Sequence, residues 1–286
     1  MLALGFGLTA AVIWSLHDLL ARKLSQGAPL LPMLVIVMAV GCLPLIAVTL
    51  ALGEWAAMTG PAWAIAALSG LGIVLAMGSL YKAFSLAPVR LVSPVVGAYP
   101  MLTLGIAVLQ GREVTDADWL AVLAICAGIA IVALSSRSDA PEGYAARPVV
   151  ALGWAALSTI GFALTFALGQ EAARQGSDLP VILIGRVVAL MVLLGLLLWY
   201  RGSLMPQRGH FAVLALMGVI DAVALGLVTA AGGLPRAEYA SIASSLFGVL
   251  TVLLAAWFLK ERVRPVQWFG IAAVFSGIAA LGLQGM

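Results

Sequence analysis

Long apolar segments separated by short polar breaks are the feature that most constrains how this chain can fold. Nine such breaks divide the 286 residues into ten segments, and a helix needs about 20 residues to cross a hydrocarbon core about 30 Å thick. Because 63% of the residues are hydrophobic and only 9% are charged, the chain has too little polar surface for a soluble domain. The pattern predicts an integral membrane protein.

The breaks are polar stretches such as RKLSQGAP, QGREVTDAD and KERVRP. Backbone amides and carbonyls in lipid have no water to bond, so helices are the expected structure of each segment. The sequence therefore predicts an all-α membrane protein with ten transmembrane helices. The predicted spans are residues 2–21, 30–52, 62–86, 89–110, 116–136, 148–170, 180–200, 209–231, 237–259 and 265–284.

Lysine and arginine are distributed unequally between the loops that join these spans. The odd-numbered loops carry 11 of them and the even-numbered loops carry three, while Arg186 lies inside a span. Positive residues accumulate in loops on the cytoplasmic side. The distribution predicts that the odd-numbered loops are cytoplasmic and that both termini are non-cytoplasmic, in a bacterial-type inner (plasma) membrane.

The residue patterns of several other protein classes are missing from the sequence. The surplus of positive charge is scattered through short loops and forms no basic patch for nucleic acid. Cys42 and Cys126 fall in apolar runs, and His17 and His210 are far apart, which disfavours a metal site. No G-x-S-x-G, H-E-x-x-H or P-loop pattern occurs. We therefore expect no enzyme activity, no catalytic residue, no cofactor, no metal and no nucleic-acid partner.

The two halves of the chain repeat each other in residue order. Matched residues lie 147 to 149 positions apart, namely Pro88 and Pro235, Glu113 and Glu261, Trp119 and Trp268, and Gly128 and Gly277. Each copy has five spans, so the second copy enters the membrane upside down. Inverted repeats are the architecture of alternating-access transporters. We predict two inverted five-helix repeats, residues 1–136 and 148–284, joined by a linker at residues 137–147.

Several local patterns then indicate a family. A glutamate follows the fourth span of each repeat, in Leu109–Glu113 and Trp257–Glu261. Trp14 lies in an Ile-Trp-Ser segment of the first span. Together with Ser93-Pro94…Pro100 and Arg186 in LIGRVVAL, these patterns resemble the drug/metabolite transporter superfamily, specifically its EamA-type ten-helix permeases. The resemblance implies export of amino acids, drugs or other small metabolites, or movement of sugars and nucleotide-sugars.

The chain departs from that family at three positions. Met38 stands where the first repeat would carry the family arginine, and Gly248 stands where the first repeat has Pro100. The first span also resembles small multidrug-resistance proteins, but their membrane glutamate aligns with Ser15 here. This last departure argues against proton antiport through a single carboxylate at that position.

Two opposite charges inside predicted spans are the strongest site candidates. Charged side chains in the bilayer are expensive and usually functional. Arg186 and Asp221 lie at depths that differ by about 6 Å in antiparallel neighbouring spans, from the rise of about 1.5 Å per residue. One interpretation is an anion-binding arginine held by Asp221. The others are a structural ion pair, or an Arg186 that snorkels to the interface.

Polar residues near the ends of the first and third spans are further candidates. Asp18 and Arg22 have the i,i+4 spacing of a helical ion pair, which predicts an interfacial anchor. His17 points away from Asp18 and either contacts substrate and titrates near neutral pH, or is a satisfied interfacial residue. Tyr81 and Lys82 end the third span, where Lys82 either binds an anionic group or snorkels.

The predicted substrate-binding set combines these positions with Trp14, which lies near mid-membrane. The alternative interpretation of Trp14 is a role in packing alone. The set is Trp14, His17, Tyr81, Lys82, Arg186 and Asp221. Pro94, Gly97 and Pro100 concentrate in the fourth span and predict a kink or hinge there. Because the ninth span has no such cluster, we expect the two halves to flex unequally.

These features favour a secondary active transporter, in the export direction, for a small polar metabolite or drug. The alternative is a lipid-handling or structural membrane protein such as a flippase subunit. The expected partners are a small-molecule substrate and the lipid bilayer. The identity of the substrate, proton coupling and the oligomeric state stay open at this point.

Overall fold

The computed structural model describes residues 1–25, 29–87, 92, 95–135, 147–201, 209–258 and 264–284. Within these ranges the chain forms α-helices and two short 3-10 helices, and no residue lies in a strand. The α-helices are α1 (Leu2–Ser25), α2 (Leu30–Leu52), α3 (Gly60–Leu86), α4 (Tyr99–Leu109), α5 (Asp116–Ser135), α6 (Pro148–Gln175), α7 (Asp178–Trp199), α8 (Phe211–Ala230), α9 (Glu238–Ser244), α10 (Phe247–Phe258) and α11 (Pro265–Gln284).

Helix length and apolar composition confirm an all-α membrane protein for the described part of the chain. Six helices, α1, α2, α3, α6, α7 and α8, contain a segment long and apolar enough to cross a bilayer alone. Shorter apolar helices accompany them, including α4. Each helix falls on a predicted span, because a run of apolar residues buries its backbone best as a helix. The count of ten transmembrane helices stays a prediction.

Helices α1–α5 pack against helices α6–α11 in exchanged pairs. The first three helices of each half correspond in order, α1 to α6, α2 to α7 and α3 to α8. The contact between α3 and α6 therefore has its counterpart in the contact between α1 and α8. In the same way, the contact between α2 and α8 has its counterpart in the contact between α3 and α7. Likewise, α1 contacts α9 and α10 while α4 contacts α6, and the pairs α2–α7 and α5–α11 are their own counterparts. If one helix of the first unit contacts a second helix of the other unit, and the equivalent helices make the same contact with the units exchanged, a two-fold axis relates the two units. The two halves are therefore arranged with approximate two-fold symmetry.

The α5–α11 contact shows this symmetry at single residues. A Cβ on Gly128 would lie 2.5 Å from the carbonyl oxygen of Gly270, and one on Gly277 would lie 2.6 Å from that of Ala121. Such distances are too short for a real side chain, so both glycines permit close helix packing. Gly128 and Gly277 differ by 149 positions, as do Ala121 and Gly270. The same contact is thus made twice.

The fourth span is interrupted by a turn at Gly97 and Ala98, after which α4 begins at Tyr99. Gly97 therefore lies at the predicted hinge position. Pro100 falls in the first turn of α4, where its missing N–H costs no helical hydrogen bond. Pro94 lies outside the described residues, so its part in a hinge stays a prediction.

The ninth span is interrupted as well, 148 positions later, between α9 and α10. The hydroxyls of Ser244 and Ser245 donate to the carbonyl oxygens of Ser241 and Ile242 at 2.8 and 2.7 Å. Such bonds compete with the helical pattern and bend helices. A break in the ninth span, without proline or glycine at the turn, was not expected from the sequence. Unequal flexing of the two halves stays a prediction.

Candidate functional site

A buried ion pair between two helices of the second half forms the centre of the site. The Nη1 atom of Arg186 on α7 donates to Oδ2 of Asp221 on α8 at 2.8 Å, and Nη2 donates to the carbonyl oxygen of Gly218 at 3.2 Å. Trp14 on α1 donates its Nε1–H to Oδ1 of the same carboxylate at 2.9 Å. The first half therefore contributes directly to a charge pair of the second half.

The burial of Arg186 decides between the interpretations of its sequence position. Its side chain is 0% exposed and that of Asp221 is 6% exposed. The predicted proximity of the two residues is confirmed, and snorkelling of Arg186 to the interface is wrong, because the guanidinium bonds within the bundle. Both carboxylate oxygens and two of the guanidinium nitrogens are used in these contacts.

A glycine on α2 makes room for the guanidinium. A Cβ at Gly41 would overlap the Nη2 atom of Arg186 and the carbonyl oxygen of Gly218. The Nε atom of Arg186 has no hydrogen-bond partner among the described residues. The arginine is thus enclosed by α2, α7 and α8, and the enclosure depends on the absence of a side chain at residue 41.

A second polar group lies on α1 and α3. Nδ1 of His17 is 3.5 Å from Oδ1 of Asp18, and Nε2 of His17 is 3.3 Å from the hydroxyl of Tyr81. All three residues are buried, with exposed fractions of 1%, 8% and 0%. Both ring nitrogens of His17 have a polar neighbour, so a satisfied interfacial residue and a substrate contact both stay predictions for His17. The predicted pairing of Asp18 with Arg22 stays a prediction, because the Arg22 side chain lies outside the described part of the chain.

Electrostatic interactions join the two groups into one. Tyr81 interacts with the charges of Asp221, Asp18 and Arg186, and Asp18 interacts with that of Asp221. We call the combined group the central cluster, consisting of Trp14, His17, Asp18, Tyr81, Arg186 and Asp221. Among the described residues, no three His, Cys, Asp or Glu side chains are placed to hold a metal ion.

Lys82 does not join the central cluster. Its side chain is exposed, although its neighbour Tyr81 is fully buried. Adjacent helical residues point about 100° apart, so only one of the two faces the bundle interior. Of the six predicted binding residues, the structure brings five together and leaves Lys82 outside.

Aromatic side chains from both halves lie next to the central cluster and were not predicted. The ring of Phe166 on α6 is 5.6 Å from that of Trp14 and 5.3 Å from that of Tyr99 on α4. Phe162 lies 5.8 Å from both Phe166 and Tyr99. The sequence contained a signal for these aromatic contacts, because Trp14 and Phe162 differ by 148 positions and so occupy equivalent positions in the two repeats.

A second ion-pair network connects the halves at the even-numbered loops. Arg236 places Nη2 2.6 Å from both carboxylate oxygens of Asp118, and the Tyr239 hydroxyl donates to Asp118 at 2.6 Å. Arg112 donates to Glu238 at 3.0 Å, and Glu238 also lies 3.2 Å from Nε of Arg236. We call these five residues the face network.

Sequence reasoning did not identify the face network, because charged residues in loops are ordinarily solvated. Asp118 is instead fully buried and caps α5, where its carboxylate accepts the amide and hydroxyl hydrogens of Thr115. Partial burial disfavours a charge on Arg236, but its hydrogen bond to Asp118 and the charges of Tyr239, Asp118 and Glu238 together outweigh this and raise the pKa of the guanidinium. The T-x-x-D cap at Thr115 was the available signal that Asp118 is fixed in place.

Comparison with known proteins agrees with this architecture. A model of the EamA-like transporter family matches residues 1–134 and again residues 149–283. No curated protein matches the chain. A solved structure described only as "Crystal structure of protein" superposes with a TM-score of 0.78 at 19% identity, covering 99% of this chain and 96% of that one; at this identity the likeness shows the fold alone. Because the family model covers nearly the whole chain in two copies, the protein belongs to the EamA-like transporter family.

Proposed function

We propose that this protein is a secondary active transporter that exports a small polar metabolite or drug across the inner membrane by alternating access. One observation carries the proposal: the central cluster is buried where the two halves meet and takes side chains from both. Trp14, His17 and Tyr81 come from the first half, and Arg186 and Asp221 from the second. Movement of one half against the other would therefore open or close this cluster.

The arrangement of the repeats supports such a movement. We assign the repeats to residues 1–136 and 148–284, with the linker at 137–147 largely outside the described residues. Two five-helix units that exchange contacts pairwise have the symmetry that an inverted repeat requires. In inverted repeats the same contacts can form on either side of the membrane, which gives two equivalent states.

The orientation of these states follows from the loop charges. We place the odd-numbered loops in the cytoplasm and both termini outside it. The face network then lies on the non-cytoplasmic side, since Arg112, Asp118 and Arg236 occupy or adjoin even-numbered loops. Because it joins the first half to the second, it must break or slide when the halves separate on that side.

Transport by the purified full-length protein tests the proposal. Proteoliposomes are loaded with a panel of amino acids, sugars, nucleosides and aromatic drugs, and efflux is followed with and without a pH gradient. We expect at least one compound to be transported, and the rate to fall at least about ten-fold in the double variant Arg186→Gln/Asp221→Asn. A ten-fold effect corresponds to about 1.4 kcal/mol, less than the loss of one charged contact.

The double variant is chosen because it removes both charges and leaves neither one buried alone. The matched control is Arg174→Gln, an exposed arginine on α6 whose pair with Glu171 spans one helical turn. Unchanged efflux in a folded double variant would remove the central cluster from the transport site. Movement of fluorescent lipid across the bilayer, without transport of any soluble compound, would instead favour a lipid-handling protein.

A further inference from the structure

The face network closes one side of the bundle by contacts between the two halves. Arg236 of the second half places Nη2 2.6 Å from the carboxylate of Asp118 in the first. Arg112 of the first half donates to Glu238 of the second at 3.0 Å. Each half thus supplies one arginine and one carboxylate to the same boundary. We call this side, which carries the even-numbered loops, the even-loop face, and the opposite side the odd-loop face.

The backbone at Arg236 is strained. Its φ is 56°, in the left-handed region that is unfavourable for a residue with a side chain. The turn is fixed from α6 by Gln170, whose amide donates to the carbonyl oxygens of Val228 and Ala237 at 3.1 and 2.8 Å. Strain of this kind persists where surrounding contacts hold it. Loss of the contact to Asp118 therefore removes much of what holds Arg236 in this conformation.

The repeat places a counterpart of Asp118 on the odd-loop face. This residue is Gln267, 149 positions later, which is also the separation of the packing glycines of α5 and α11. Asp118 accepts the amide hydrogen of Thr115 at 2.8 Å, and Gln267 accepts that of Arg264 at 2.7 Å. Both side chains are buried at the start of their helices. Position and backbone contact are the same, and the charge differs.

The second carboxylate of the face network also has no acidic counterpart in the sequence. Residues 88–92 of the first half correspond to residues 235–239, since a proline begins each segment. Residues 88–92 read PVRLV, with one basic residue and no acidic one. Arg112 corresponds to Lys260, 148 positions later. At the equivalent positions the odd-loop face therefore has basic residues but neither carboxylate.

We propose that the face network is a one-sided latch, whose ion pairs hold the even-loop face closed and have no equivalent on the odd-loop face. The proposal rests on the alternating-access function proposed above. Two identical inverted repeats would give two states of equal free energy, one closed on each face. The latch removes this equality, because its charges stabilise only the state in which the even-loop face is closed. Dissolved salt, which screens exposed charges, should then favour opening of that face alone.

The surroundings of the latch allow it to open without leaving a bare buried charge. The Arg236 side chain is 30% exposed and that of Arg112 is 20% exposed, so water can hydrate both guanidinium groups. Asp118 is buried, but its carboxylate keeps the hydrogen bonds from the amide and hydroxyl of Thr115 when Arg236 withdraws. Donors of this kind stabilise a carboxylate in its charged form.

Two buried positions report on the two faces separately. Val122 lies one helical turn inward from Asp118 on α5, and Ile271 lies one turn inward from Gln267 on α11. Both side chains are buried, and the two positions are again 149 residues apart. A cysteine at either position is modified when the face above it opens. The reporter variants are Val122→Cys and Ile271→Cys.

The reporters are placed in full-length protein without its two native cysteines, by Cys42→Ala and Cys126→Ala. The protein is reconstituted in phosphatidylcholine nanodiscs, and modification by iodoacetamide, which is small and uncharged, is followed by mass spectrometry at constant pH. Each rate is divided by that of the same variant unfolded in sodium dodecyl sulfate. This ratio corrects for differences in the intrinsic reactivity of the two cysteines.

We expect the double variant Asp118→Asn/Arg236→Gln to raise the rate in Val122→Cys at least about five-fold, because charged hydrogen bonds at a partly exposed contact are lost. Salt at about 1 M should raise the same rate when the network is intact and have little effect in the double variant. In Ile271→Cys, neither change should raise the rate. The matched control Arg174→Gln removes an exposed pair within one helix of the same face and should change both reporters less than about two-fold.

Three outcomes would overturn the latch. One is an equal rate in Val122→Cys for the double variant and for Arg174→Gln. Another is a parallel rise in both reporters, which would mean that the fold as a whole has loosened. The third is an equal salt response in Ile271→Cys, which would mean that charge also holds the odd-loop face closed. The salt measurement needs no substitution in the network, so it decides the question even if the double variant does not fold. Because no substrate is involved, a failed transport assay beside the expected rates would refute the transport function and not the latch.

Discussion

The central cluster and the face network use the same ingredients in different surroundings. Each joins an arginine, an aspartate and an aromatic donor, and each links the two halves of the protein. In the central cluster the Arg186 side chain is 0% exposed, whereas in the face network the Arg236 side chain is 30% exposed. Water can therefore replace the partners of Arg236 when its ion pair breaks, but not those of Arg186.

This difference explains why the two regions suit different tasks. A buried ion pair loses so much hydration that its net stabilisation of the fold is small. Removal of one partner is nevertheless strongly destabilising, because it leaves the other charge buried alone. A partly exposed pair is weaker, and dissolved salt screens it. The central cluster therefore defines a site whose charges must stay balanced, and the face network is a contact that can open and reform.

The largest effect is expected when the central pair loses one member. Asp221→Ala leaves the Arg186 guanidinium buried without its carboxylate, and we expect a loss of about 3–5 kcal/mol in the free energy of unfolding. Unfolding of purified protein in mixed micelles, followed by circular dichroism, measures this loss. The double variant Arg186→Met/Asp221→Leu should regain most of it, and a single variant that costs less than about 1 kcal/mol would contradict the assigned ion pair.

A smaller effect is expected from crowding the same guanidinium. Gly41→Ala introduces a Cβ that overlaps Nη2 of Arg186, and overpacking typically costs about 1–3 kcal/mol. Gly105→Ala is the matched control, because a Cβ there meets no atom within 4 Å. Equal unfolding curves for the two variants would show that α2 does not enclose the arginine as described.

The face network should respond to salt where the central cluster does not. Arg236→Gln removes the contacts to Asp118, and we expect a loss of about 1–2 kcal/mol in low salt, discounted for the partial exposure of the guanidinium. Raising the salt concentration to about 1 M should reduce that difference. The penalty of Asp221→Ala should change little over the same range, and parallel salt dependence in both variants would remove the contrast between the regions.

The sequence predicted those parts of the site that depend on depth in the membrane. Arg186 and Asp221 lie in consecutive antiparallel spans, so residue counting alone placed them at similar depth, and they form a 2.8 Å contact. Trp14 and His17 were identified for a similar reason. An unusual side chain stands out when every neighbouring position is apolar.

Contacts between distant loops were not predictable in this way. Asp118 and Arg236 are separated by 118 residues, and each looks like an ordinary solvated loop charge. Their meeting depends on the packing of α5 beside the turn that precedes α9, which no local pattern encodes. The break of the ninth span was also missed, because serine hydroxyls rather than proline or glycine accompany it.

The smallest effect concerns the neighbouring residues Tyr81 and Lys82, which the sequence could not tell apart. Lys82→Gln should leave transport rate and stability unchanged within error, because its side chain is exposed and lies outside the central cluster. Tyr81→Phe removes only the hydroxyl 3.3 Å from Nε2 of His17, and the loss of one buried hydrogen bond of about 1 kcal/mol should slow efflux several-fold. Efflux rates of the two variants in the same liposomes make the comparison. A slower rate in Lys82→Gln with a normal rate in Tyr81→Phe would mean that substrate passes on the outer face of α3, beside the lysine.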